Sequence, residues 1–230
     1  MGVLRLDAGE LLMPRRGSVG GLYAPISGLA RAAFNLATGG TITTFTAAGQ
    51  AGTVSGHKYQ VHSFSAGGTL TVLNALKPFD LLLVGGGSDG ESYLTHTYGG
   101  GGGGVLQQLA VVLAAQAYAV VVGGPNGLGS NGGGSSVAGY SVSGGSSNGT
   151  SGAPTAYGPS PTYGPSGDQY RAGGGAGGGG SGGDIIPGNG AYYGPGLSKD
   201  TSGSSVAYAP GNYGYGGNAG LVIVRYEIAP

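Results

Sequence analysis

The sequence predicts an all-β fold, a jelly-roll-like β-sandwich carrying a glycine-rich insert. Three observations lead there. Runs rich in β-branched and aromatic residues recur at strand length along the chain. Glycine is distributed unevenly, with 13 of 57 in residues 1–84 and 44 in residues 85–230. Strand-like runs stand on both sides of the glycine-rich part. Runs that bracket an insert must close on one another, and two packed layers of strands are the simplest closure.

Residues 1–40 hold Arg5, Arg15, Arg16 and Arg31 together with Pro14 and Pro25. Ile26–Ala37 fits one short helix, with Ser27 as N-cap and Gly39 as the stop. This stretch is too small to bury a core alone, so it reads as a docking arm; a frayed terminus is the competing reading. The domain then occupies 41–230, with strands in 41–122 and 218–230 and the insert at 123–217. Its first run is Thr41-Ile-Thr-Thr-Phe-Thr46. His57–Ser65 and Thr69–Leu73 follow, separated by Ala66-Gly67-Gly68, and read as a β-hairpin in which Leu70 and Val72 are buried and Thr69 and Thr71 are wet. Phe79-Asp-Leu-Leu-Leu-Val84 is a continuous apolar run, which suits a strand buried on both faces. Val105–Leu113, Ala117–Gly123 and Gly220–Ile228 complete the set.

Composition excludes several function classes. With no cysteine there is no disulfide framework and no thiolate chemistry. Nine Lys+Arg balance nine Asp+Glu, so no basic field gathers nucleic acid or anionic lipid. Met1–Glu10 carries Arg5, Asp7 and Glu10 where a signal peptide needs an apolar core, and Leu6 stands where myristoylation needs Ser or Thr. Leu109–Val122 is too short to span a bilayer. The expectation is a soluble protein without membrane insertion.

Glycine recurs in blocks such as 132–134, 173–180 and 216–217. Two readings are open. One is a disordered low-complexity tract. The other is a bundle of extended polyglycine helices with three residues per turn, whose backbone groups must pair with neighbouring segments because the helix makes no internal hydrogen bonds. Only glycine lets backbones approach so closely.

Leu81-Leu-Leu-Val-Gly-Gly-Gly87, Val120-Val-Val-Gly-Gly124 and Gly217-Asn-Ala-Gly-Leu-Val-Ile-Val-Arg-Tyr226 resemble the glycine-rich domain of bacteriophage tail and other virion proteins. The resemblance covers about residues 40–228. It implies a β-sandwich with an inserted bundle of polyglycine II-type helices and loops. It further implies a non-enzymatic virion structural protein, a minor tail or tail-tip protein that displays a host-binding module. A capsid decoration protein or head fibre is the alternative. Expected partners are other virion proteins, further copies of the chain as in the trimers common among tail appendages, and a host cell-surface glycan. The arginines of the arm would dock on the particle.

Catalytic strings occur but lack their context. Gly85-Gly-Gly-Ser-Asp-Gly90 matches a dinucleotide loop, yet no helix-forming segment follows to hold a pyrophosphate. Gly86–Gly90 and Gly179–Gly183 match a serine-nucleophile elbow, but no histidine follows His96. His57, His62 and His96 have no metal-ligand spacing, and Asp89 and Glu91 offer at most a loop cation contact. No cofactor motif and no metal site are expected. Tyrosine is the stronger signal. Nine of fifteen lie between Tyr140 and Tyr215, and Tyr157, Tyr163, Tyr170, Tyr192, Tyr193, Tyr213 and Tyr215 stand among Gly, Ser, Asn and Pro as in adaptable binding loops. Such rings stack on sugars; the competing role is to cap the ends of the glycine bundle.

Overall fold

The computed structural model describes residues 34–89, 91–93, 96–98, 100–126, 129–147, 185–186, 190–191, 197–208 and 218–230. These residues form strands, turns and extended segments, with no helix among them. In chain order the strands are β1 (Leu36–Thr38), β2 (Thr41–Thr46), β3 (Lys58–Phe64), β4 (Gly68–Asn74), β5 (Phe79–Val84), β6 (Glu91–Tyr93), β7 (His96–Tyr98), β8 (Val105–Val111), β9 (Ala117–Val121), β10 (Ser135–Val137), β11 (Tyr140–Val142), β12 (Ile185–Ile186), β13 (Gly190–Ala191), β14 (Leu197–Lys199), β15 (Val206–Tyr208) and β16 (Leu221–Ala229). Two five-stranded antiparallel sheets carry the fold, in the orders β1-β4-β9-β10-β11 and β2-β3-β16-β5-β8. The pairs β6–β7, β12–β13 and β14–β15 are separate small hairpins.

The two sheets face each other across one apolar core. Ala37, Leu70, Val72, Val120, Val137 and Val142 come from the β4 sheet, and Phe64, Leu81, Leu83, Val222, Val224 and Tyr226 from the β16 sheet. A second cluster lies on the far side of the β16 sheet, where Val61, Leu82, Val84, Val105 and Ile223 pack with Tyr208 of β15. Covered on both faces, β5 is buried at every position, as its unbroken apolar run requires.

Three expectations are corrected. Leu36 and Ala37 lie in β1, paired with β4, and not in a helix over 26–37; the sandwich therefore includes residues that were expected in the arm. His57–Leu73 is not a hairpin. β3 pairs with β2 and β16, β4 pairs with β1 and β9, and the turn at 65–67 carries the chain from one sheet to the other. Phe64 and Leu70 meet face to face in the core rather than side by side, and local alternation is the same in either case. Gly39, at φ 113°, makes the matching crossing from β1 to β2; its Cβ would strike the Thr69 carbonyl. Third, the glycine packing is not confined to 123–217 but starts at Gly85.

Six segments build that packing: 85–88, 101–104, 123–124, 132–134, 143–146 and 218–220. Each runs directly into or out of a core strand: β5, β8, β9, β10, β11 and β16. They bond to one another laterally through the backbone. Gly85 N–H donates to Gly104 O, Gly86 to Gly133 O, Gly87 to Asn218 O, and Ser88 to Gly101 O, at 2.7–3.0 Å. Three successive donors thus reach three different segments and the fourth returns to the first, the fan expected of an extended helix with three residues per turn. Further bonds run from Gly145 to Gly86 O, Gly132 to Gly145 O, Gly133 to Gly124 O and Gly220 to Gly123 O. A Cβ at Gly103, Gly123, Gly132, Gly144 or Gly145 would overlap a neighbouring backbone carbonyl, so the sequence has no alternative to glycine there.

Candidate functional site

The tyrosines expected to contact a host surface (Tyr157, Tyr163, Tyr170, Tyr192, Tyr193, Tyr213 and Tyr215) lie outside the described residues, as do the arm residues Arg5, Arg15, Arg16 and Arg31. What is described is how the tyrosine-rich stretch is rooted. At its entry, Gly101 N–H donates to Ser146 O and Gly145 N–H to Gly86 O; at its exit, Gly87 N–H donates to Asn218 O. Both ends are therefore fixed in the same bundle. Two tyrosines of the wider group are described, and both pack. Tyr208 is 8% exposed in the second apolar cluster, and Tyr140 rests half-buried against the sandwich core. The Gly85–Gly90 string is accounted for in part by the same bundle, since Gly85–Ser88 bond to four backbone carbonyls and hairpin strand β6 follows.

A different set of side chains converges on the outer face of the β16 sheet. Alternation along β16 sends Val224 and Tyr226 to the core and Arg225 outward, where it is nonetheless fully buried. Its Nε and Nη2 donate to Asp80 Oδ2 at 3.0 and 2.6 Å, and Nη2 also donates to Ala51 O. The guanidinium carbon lies 5.6 Å from the centre of the Tyr59 ring. Asp80 Oδ1 accepts the N–H of Ala110, a residue at φ 58° where β8 bulges from β5. Nη1 has no hydrogen-bond partner among the described residues. Arg225 thereby fastens loop 47–57 to the sheet, and Gln50 donating to Gly203 O and Asp200 accepting from Ala51 N–H tie the same loop to the turn between β14 and β15.

Beside this pair, Glu227 accepts from Lys77 Nζ at 2.9 Å and lies 3.0 Å from His57 Nδ1. Burial acts to raise the Glu227 carboxyl, but the hydrogen bonds and charges of Lys77 and His57 outweigh it and hold it below the usual carboxylate value. A cleft of about 190 Å³ opens between Val54, Tyr59, Lys77, Asp80, Ala110 and Glu227. Another of about 250 Å³ lies near Gln107, Lys199 and Asp200. Both are smaller than the roughly 300–1,000 Å³ of ordinary ligand pockets.

His62, on β3, is wholly buried at the core. Nδ1–H donates to Gly39 O at 2.7 Å, which leaves Nε2 to accept from the Gln60 amide at 2.9 Å. The Tyr226 hydroxyl accepts from Ala37 N–H and from Gln60 and lies 3.2 Å from His62 Nε2. Burial lowers the His62 pKa, the Gly39 bond opposing it, and raises that of Tyr226. The network ties β1 to the opposite sheet. Among the described residues no three His, Cys, Asp or Glu side chains converge as metal ligands.

Sequence reasoning missed the Asp80–Arg225 pair, although a signal existed. Each is the single charge in the heart of a run otherwise apolar, Phe79–Val84 and Leu221–Tyr226, and two lone charges of opposite sign in buried strands must meet. Compared with known proteins, the chain matches no family model and no curated relative.

Proposed function

We propose that this chain is a non-enzymatic structural protein of a bacteriophage particle, a minor tail or tail-tip protein that presents a tyrosine-rich module to a host-surface glycan. The observation that carries this reading is the clamping of both ends of the 147–217 stretch in one laterally bonded glycine bundle seated on the sandwich. Fixing the two ends of the stretch in the bundle ties it to one place on the sandwich, and fewer chain arrangements are then lost on binding. Tyrosine with glycine, serine and asparagine supplies rigid amphipathic contact area. The resemblance of the opening and closing strands to glycine-rich virion domains points the same way, and the arm would hold the protein to its particle.

Immunogold electron microscopy of purified particles, with antibody against the glycine-rich region, tests the location. Tail-tip or tail-fibre label agrees with the proposal. Label spread over the head turns it into a decoration protein, and absence of label from any particle removes the virion reading. Tyr163→Ala and Tyr193→Ala then test the contact: adsorption should weaken with unfolding midpoints unchanged. Unaltered adsorption in both leaves these rings as bundle caps.

A further inference from the structure

Among the described residues the two large sheets have four edges, formed by β1, β11, β2 and β8. Edge strands expose unpaired N–H and C=O groups and invite pairing with other chains, so proteins blunt them with shortness, bulges, charge or proline. Three of these edges are blunted. β1 and β11 have three residues each, and β1 has an irregular register. β8 is bulged against β5 and turns at Ala110. β2 has none of these devices. Its six residues, Thr-Ile-Thr-Thr-Phe-Thr, carry no charge and no proline, and they pair with β3 in unbroken register from Thr41↔Ser63 to Thr46↔Lys58.

The direction of its free backbone groups follows from the register. Ala47 N–H donates to His57 O, so Ala47 and, by alternation, Phe45, Thr43 and Thr41 turn their backbone toward β3. Ile42, Thr44 and Thr46 turn theirs outward. The side chains at this edge are exposed, Ile42 by 49%.

We infer that β2 is a self-association strand, pairing antiparallel with β2 of a second copy about a two-fold axis midway between the two Thr44 residues. In that register Thr44 faces its own counterpart and Ile42 faces Thr46 of the other copy, so every outward N–H meets an outward C=O. Parity is preserved, and the inner face of one β16 sheet continues into the inner face of the other. The strand has β-branched or aromatic side chains at all positions, which favour cross-strand contact, and no charge to repel its copy. Pairing of two copies is independent of where the protein is displayed.

The test is sedimentation equilibrium of the full chain up to about 100 µM, a range that covers weak homodimers. The wild type should associate to dimers. Thr44→Pro removes an outward donor without touching the ladder to β3, and Ile42→Lys places a charge on the free edge; each should weaken association by about tenfold or more. Circular dichroism checks that each variant folds, and Ile42→Lys decides if Thr44→Pro does not. A monomeric wild type, a trimer or larger species, or a dimer that Ile42→Lys leaves unweakened would each overturn the inference. A monomer that instead captures an added extended peptide along β2 would mean that the edge serves a different partner.

Discussion

Gly86→Ala should be among the most damaging single-methyl additions in this protein. Its Cβ would sit on the Gly124 carbonyl oxygen, with the Gly124 carbonyl carbon 2.8 Å away and the Gly123 oxygen 2.9 Å away. These are backbone atoms of another segment, so no rotamer change relieves the overlap. Gly86 also donates to Gly133 O and accepts from Gly145 N–H, both at 2.9 Å. Overpacking costs about 1–3 kcal/mol. Two strained hydrogen bonds add roughly 0.5–1.5 kcal/mol each. The expected loss is therefore about 3 kcal/mol, a fall in Tm of roughly 6–12 °C for a protein of this size. Gly124→Ala is the control in the neighbouring segment. Its Cβ would meet nothing within 4 Å, and its φ is outside the left-handed region. That variant should lie within about 0.5 kcal/mol of wild type, or gain from a less flexible unfolded chain. Urea and thermal unfolding measure both. Equal stability of the two variants would refute the close-packed glycine bundle.

Three other perturbations probe the rest of the molecule. His62 has a lowered pKa in the folded state, so the unfolded chain binds the proton more readily; stability should be full above about pH 6.5 and fall below it, by at most about 1.4 kcal/mol per pH unit. Urea midpoints between about pH 7.5 and 5.5 read this, and His62→Gln should flatten the slope in that window. Glu227 is lowered too, but in a carboxylate that shift favours the charged form, so its contribution is present above its ordinary value and lost as the pH falls below it; Lys77→Ala should move that acid limb upward while leaving the His62 window in place. Asp80→Ala strands the buried guanidinium of Arg225 and should cost about 3–5 kcal/mol, whereas Asp80→Leu with Arg225→Met together should recover much of that loss; a single variant costing under about 1 kcal/mol contradicts a closed ion pair.

Much of the sandwich was legible because its strands announce themselves locally. Phe79–Val84 reads as buried on both faces and is. The run from Thr41 to Thr46 and the closing run into Tyr226 fall where β2 and β16 lie. Strand partners were not legible. The turn at 65–67 could join neighbours in one sheet or cross between sheets, and alternation of Leu70 and Val72 satisfies both. The choice is made by distant β16, which occupies the place beside β3 that β4 would need. Ala37 was assigned to a helix by the cap signals Ser27 and Gly39, but the contacts that hold it are non-local: pairing with Val72 and its N–H bound to the Tyr226 hydroxyl. The charged cluster was likewise hidden, since His57, the Lys77–Asp80 stretch and the Arg225–Glu227 stretch are far apart in sequence and meet only when β16 is placed between β3 and β5. Of the proposed tyrosine contact, the sequence supplies the residue types, and the structure describes only the two anchored ends of the stretch that carries them.

The junction between sandwich and bundle explains why glycine begins where it does. Stacked sheets stand about 10 Å apart because side chains fill the gap. At the end of the core this filling stops. Ser135, at the start of β10, still bridges through its side chain, its hydroxyl donating to Val84 O at 2.6 Å and accepting from Gly123 N–H at 2.9 Å. One step further, Gly220 N–H donates directly to Gly123 O, joining the segment that leads into β16 to the one that leaves β9. Strands of opposite sheets are thus linked backbone to backbone, which a Cβ at Gly220 would prevent because Val84 O and Ser135 Oγ already lie 2.5 and 2.7 Å from its position. Two layers therefore merge into a single laterally bonded array, and the order of the sandwich passes into the bundle through hydrogen bonds rather than apolar burial. The glycines near residue 85 serve this merger. Their number follows from geometry, as each segment needs clearance on three sides at once, and it explains how a chain so poor in large side chains holds both ends of a long insert in fixed positions.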